Sequence, residues 1–110
     1  MSTIKASREI DKIFQTASRA AHPLLIVLAA RTPEGRGLEG RVAFIAGKKL
    51  GHAVLRNRCR RVMRAMVRRA GGPWPGWDVV IIARQDTAIA RPGALDGALA
   101  GLLTRLKVVA

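Results

Sequence analysis

The chain has 110 residues, with 20 lysines and arginines against 7 acidic residues, a net charge of +13. That length fits one domain, and 49% hydrophobic residues suffice for a modest core. The charge excludes an ordinary neutral globule: it points to nucleic acid or an anionic membrane surface, and self-repulsion should leave the free protein marginally stable and helped by salt.

In chain order, Ser7 is expected to cap a first helix, with Glu9 and Asp11 in its first turn, where the dipole favours them. Ile10, Ile13, Phe14 and Ala17 supply its apolar face. His22-Pro23 reads as a turn. Residues 24–30, LLIVLAA, form a continuous apolar run that reads as a buried strand. Residues 31–40, with Pro33, Gly35, Gly37 and Gly40, read as a hairpin loop leading to a second strand at 41–46. A glycine-bounded basic loop follows at 47–52. A long helix is expected over 55–70, stopped by Gly71-Gly72-Pro73. In the segment GGPWPGW, Trp77 is expected to cover the edge of the core and Trp74 to be exposed. Residues 78–83, DVVIIA, read as a central strand because the run is apolar throughout. Pro92 opens a last helix, whose apolar face is Leu95, Ala98, Leu99, Leu102, Leu103 and Leu106. Gly97 and Gly101 weaken that helix but would let it approach a sheet closely. The predicted class is α+β, one sheet with helices packed against it.

The stretch 48–69, KKLGHAVLRNRCRRVMRAMVRR, dominates this plan. No acidic residue occurs between Glu39 and Asp78. At roughly 100° per residue, Leu55, Cys59, Val62, Met66 and Ala70 share one face, with Met63 beside them. Asn57, Arg61, Arg64 and Arg68 share the opposite face, flanked by Arg58 and Arg60. Like charges at these spacings destabilise an isolated helix, so the stripe implies an anionic partner. A solvated face would mix signs. Guanidinium suits phosphate because its planar fork matches the oxygens. A membrane-surface or calmodulin-binding helix would carry Trp, Phe or Leu on its apolar side, whereas Cys, Val, Met and Ala suit a core.

Catalytic chemistry is absent from the sequence. Glu9, Asp11, Glu34, Glu39, Asp78, Asp86 and Asp96 form no cluster suited to a two-metal nuclease. His52 and Cys59 lack zinc spacing, and residues 47–51 are not a P-loop. Cys59 reads as a buried structural thiol; His52, at a helix entrance, bonds either backbone or phosphate. One cysteine excludes a disulfide framework and fits a reducing cytosol. The opening residues lack a signal-peptide run, and no segment approaches the roughly 20 apolar residues of a membrane span. A cytoplasmic binding protein with no membrane partner, no catalytic residue and no metal of its own is expected.

The run GKKLGHAVLRNRCRRVMR resembles the protein subunit of bacterial ribonuclease P: Lys48-Lys49-Leu50-Gly51, then Ala53-Val54-Leu55-Arg56-Asn57-Arg58, then Arg60, Arg61 and Arg64. The resemblance extends over residues 5–107 and is specific over 41–69 and 78–84, where a strand ends in Ala83-Arg84. It implies one RNA-binding domain over 1–110, an αβββαβα sandwich with one mixed sheet. It also implies a short first strand near 18–21 and a left-handed βαβ crossover, against the usual preference. It implies an accessory subunit of an endoribonuclease that removes the 5′ leader of precursor tRNA, with catalysis and Mg²⁺ carried by a large RNA. Lys48, Lys49, Arg56, Asn57, Arg58, Arg60, Arg61, Arg64 and Arg68 would face RNA, and Phe14 and Lys49 would reach a leader cleft between the first helix and the sheet. Further aromatics common in that cleft are replaced here, at the positions matched to Ile10 and Val27. The alternative of another class is a ribosome- or nucleoid-associated basic protein, which would spread lysines over flexible tails.

Overall fold

The computed structural model describes residues 3–4, 7–33, 35 and 37–109; Glu34 falls outside them. The elements are α1 (Ser7–Thr16), β1 (Ser18–His22), β2 (Leu25–Arg31), β3 (Arg41–Ile45), a one-turn 3₁₀ helix (Lys48–Leu50), α2 (Ala53–Ala70), β4 (Trp77–Ala83) and α3 (Pro92–Arg105). Ser7 is the first residue inside α1 rather than its cap.

The strands form one mixed sheet in the order β1-β2-β4-β3. β1 and β2 are antiparallel, from Ser18 opposite Ala29 to His22 opposite Leu25. β2 and β4 are antiparallel, and β3 lies parallel to β4, with Val42 beside Val79. Residues 31–40 are therefore not a hairpin loop, because β4 is inserted between β2 and β3. The reason is burial: Val79, Val80 and Ile81 are all inaccessible, so β4 needs cover on both faces and takes an inner position. The parallel β3–β4 pair requires a long crossover, and α2 supplies it.

Alternate strand residues build two cores of unequal depth. On one face Leu25, Val27, Ala29, Val42, Val79 and Ile81 meet Cys59, Met63, Met66 and Val67 of α2 and Leu95, Leu99, Leu102 and Leu103 of α3. On the other, Leu28, Ala43 and Val80 meet the buried Ile13 of α1 and Ile4, with Ile10 and Ala17 packed beside them half-buried. Ile4 is held at the sheet edge by its amide, which donates to the Val42 carbonyl at 2.9 Å.

Three expectations about packing are corrected. Trp74 is buried, 7% exposed, within the larger core. Gly40 lies so close to its backbone that a Cβ would collide with the Trp74 carbonyl. Trp77 is half-buried at the core edge, as expected, with the Arg31 guanidinium 4.3 Å from its ring centre. On α3, Gly97 and Gly101 face open space and not the sheet; Leu and Ala make the contact. On α2 the core face includes Val67, while Ala70 is exposed and Val62 and Leu55 are half-buried. The helix ends on Gly71 at φ 85°, a left-handed cap that glycine adopts without a Cβ penalty.

Candidate nucleic-acid interface

α2 begins at Ala53, two residues before the expected start, with His52 at its N-cap in extended conformation. The His52 side chain is exposed and makes no capping hydrogen bond. Lys48 and Lys49, both exposed, sit in the 3₁₀ turn just before it. No acidic residue lies in the first turn of α2, so the positive end of its dipole is unopposed.

Asn57, Arg58, Arg61, Arg64 and Arg68 are exposed along one side of α2, opposite the buried Cys59, Met63, Met66 and Val67. Among the described residues no carboxylate pairs with these four arginines. Arg64 instead lies 5.4 Å from the centre of the Phe44 ring. Two residues expected to face RNA have structural contacts as well. Arg56 is half-buried and its Nε donates to the Ala46 carbonyl at 3.1 Å, tying α2 to the end of β3. Half-buried Arg60 donates from Nη1 to Asn57 Oδ1 at 3.0 Å, orienting that amide. Arg69 is turned away and pairs with Asp96 of α3 at 2.9 Å.

α1 crosses the other face of the sheet over the end that carries Ala30, Arg41 and Asp78. Beyond it Ile26, Ile45 and Ile82 are only half-buried. Phe14, 47% exposed, lies on the flank of α1 away from Glu9, Lys12 and Thr16. This leaves a partly exposed apolar strip of sheet beside α1, the groove side of the molecule, and Lys49 lies past the Ile45 end of β3. Val27 is not part of it: its side chain is fully buried on the opposite face. In a strand, a one-residue step exchanges faces, and the groove-side residues are Ile26 and Leu28. Ile26, Ile45 and Ile82 escape sequence reasoning because both faces of these strands are apolar, which leaves alternation without a phase.

On the other flank of α1, Lys12, Thr16, Arg31 and Pro33 surround a cleft of about 530 Å³ floored by Arg41 and Asp78. Arg41 donates from Nη2 to Asp78 Oδ2 at 2.9 Å and from Nη1 to Glu9 Oε2 at 2.5 Å. Burial pushes the Asp78 carboxyl above its ordinary range, and Arg41 offsets this only in part. Burial likewise pushes the Cys59 thiol up, so it stays protonated and inert. Among the described residues, no three His, Cys, Asp or Glu side chains are placed to hold a metal ion. Nor is any helix among them long and apolar enough to cross a membrane.

Comparison with known proteins agrees with this architecture. Residues 1–107 match the model of the Ribonuclease P family. The ribonuclease P protein component of Brevibacillus brevis is 34% identical over 111 residues, covering 96% of this chain and 83% of that protein. That of Beutenbergia cavernae is 36% identical over 111 residues, covering 96% and 92%. The fold superposes on the RNase P protein of Staphylococcus aureus with a TM-score of 0.82 at 24% identity, over 98% of this chain and 97% of that one. The Thermotoga maritima protein gives 0.76 at 22% identity, over 100% and 99%. With a matched family model over nearly the whole length and relatives above 30% identity, the chain belongs to the ribonuclease P protein family.

Proposed function

We propose that this protein binds the catalytic RNA of ribonuclease P through α2 and holds the 5′ leader of precursor tRNA in the groove beside α1, while the RNA performs the cleavage. Membership of the family makes it the protein component of a tRNA-processing endoribonuclease; the division of labour is our reading. One observation carries it: Arg58, Arg61, Arg64 and Arg68 line the exposed side of α2, and no carboxylate among the described residues neutralises them. From Asn57 to Arg68 the stripe runs about 16 Å, enough to meet several phosphates. Each guanidinium can offer a phosphate two parallel N–H donors, and Lys48 and Lys49 extend the positive surface.

The groove suits a single strand differently. Its floor of isoleucines accepts base faces without reading their edges, and among the described residues Phe14 is the ring placed to stack on a base. Stacking contributes roughly 1–3 kcal/mol per base. With one platform, leader affinity rests largely on charge, and Lys49 is placed to supply it. Mg²⁺ belongs to the RNA in this reading. The protein's part is to reduce phosphate repulsion, so that the RNA folds and binds substrate at lower ion concentration.

Reconstitution with the cognate catalytic RNA on precursor tRNA tests the proposal. At low Mg²⁺, cleavage should depend on the protein. Arg61→Ala and Arg64→Ala should each weaken RNA-dependent function by roughly 1.5–3 kcal/mol while leaving the melting curve in place. Phe14→Ala should weaken binding of precursor tRNA and not of mature tRNA, which has no leader. RNA binding without any gain in cleavage would favour a ribosome- or nucleoid-associated role instead.

A further inference from the structure

We propose that the Arg41 ion cluster sets the roll of α1 about its own axis and so keeps Phe14 raised over the groove; this rests on the leader-groove reading above. α1 has ten residues, too few to be stable as an isolated helix. Ile10, Ile13 and Ala17 attach it to the sheet. That contact is apolar, and apolar attraction has no direction. A helix held in this way alone is free to roll.

Glu9 and Phe14 stand on opposite flanks of the contact line, about 140° apart around the helix. Turning Phe14 down onto the sheet would hide its exposed half from water, which the hydrophobic effect favours. The same rotation would lift Glu9 away from the sheet. Glu9 is tied there: its carboxylate accepts from Arg41 Nη1 at 2.5 Å. Arg41 is itself fixed, because its Nη2 donates to Asp78 Oδ2 at 2.9 Å and Asp78 is only 2% exposed on central β4. The cluster thus opposes the one rotation that would bury Phe14 and fill the groove. Glu9 and Arg41 are positioning residues; neither has to touch the RNA.

Glu9→Gln removes the tether's charge, preserves its shape and leaves the buried Arg41–Asp78 pair intact. The test measures affinities of the reconstituted holoenzyme for precursor and mature tRNA, with the wild type, Glu9→Gln, Phe14→Ala and the double variant, beside melting curves of each protein. We expect Glu9→Gln to weaken precursor binding about two- to fivefold, the range for a partly exposed ion pair, and to spare mature tRNA. In the Phe14→Ala background it should have no further effect, since the two share one consequence. Equal loss in both backgrounds, equal loss for both tRNAs, or no loss where Phe14→Ala shows one overturns the tether and leaves the groove reading standing. A Phe14→Ala protein whose preference for precursor over mature tRNA is undiminished overturns the groove reading, and the tether with it.

Discussion

Met66 has none of its surface exposed and belongs to the core shared by α2, α3 and the sheet. Met66→Ala should lower stability by roughly 2–5 kcal/mol, seen as a lower urea midpoint. Val62 shares the predicted apolar face but is half-buried, and its truncation should cost less. Asp78 makes a different kind of contribution. Its folded-state pKa is raised by burial, so the folded protein takes up this proton at a higher pH than the unfolded chain. The stability it contributes is full below the ordinary carboxylate value of about 3.9 and falls as pH rises through its own raised value. The stability advantage of the wild type over Asp78→Asn should therefore shrink as pH rises through that window, in melts taken across the acidic range. An advantage that grows with pH would mean that Arg41 outweighs burial.

At the scale of elements, α3 carries an unexploited gain. Gly97 and Gly101 lie in helix interior at ordinary negative φ, and a methyl group on either would meet only open space. Alanine at either position should add about 0.5–1 kcal/mol of stability, read as a higher melting temperature with RNA binding unchanged. The sequence suggests the opposite environment for these glycines, because glycine spacing alone does not say which side of a helix faces a sheet. α2 is far more legible. Its charge stripe and its Cys59–Met66 side follow from periodicity, and only its margins, Val67 and Ala70, depart from the pattern. β2 and β4 are legible as strands but not in their neighbours or phase, since runs apolar on both faces carry no alternation. β1, SRAAH, has too little apolar character to announce itself, and only the family resemblance implies it. Trp74 is unreadable for another reason. Its burial depends on Gly40, far earlier in the chain, which has no side chain to keep the two backbones apart.

For the molecule as a whole, +13 charges on 110 residues make the partner part of the electrostatic balance. Binding RNA should release counterions, and if about five phosphates are neutralised, log K should fall with log salt at a slope of roughly −3.5 to −4.5. A flat titration would reject charge as the main source of affinity. The unequal depth of the two cores bears on folding as well. Among the described residues, twenty buried side chains join the sheet to α2 and α3, while five join it to α1 and Ile4. Cooperative units separate where contacts are fewest, so α1 can detach while the sheet, α2 and α3 remain folded. Of the three helices, the one that walls the groove is then expected to detach first. If a single strand occupies the groove as proposed, it holds α1 in place, and leader binding would then be, in part, the last step of folding.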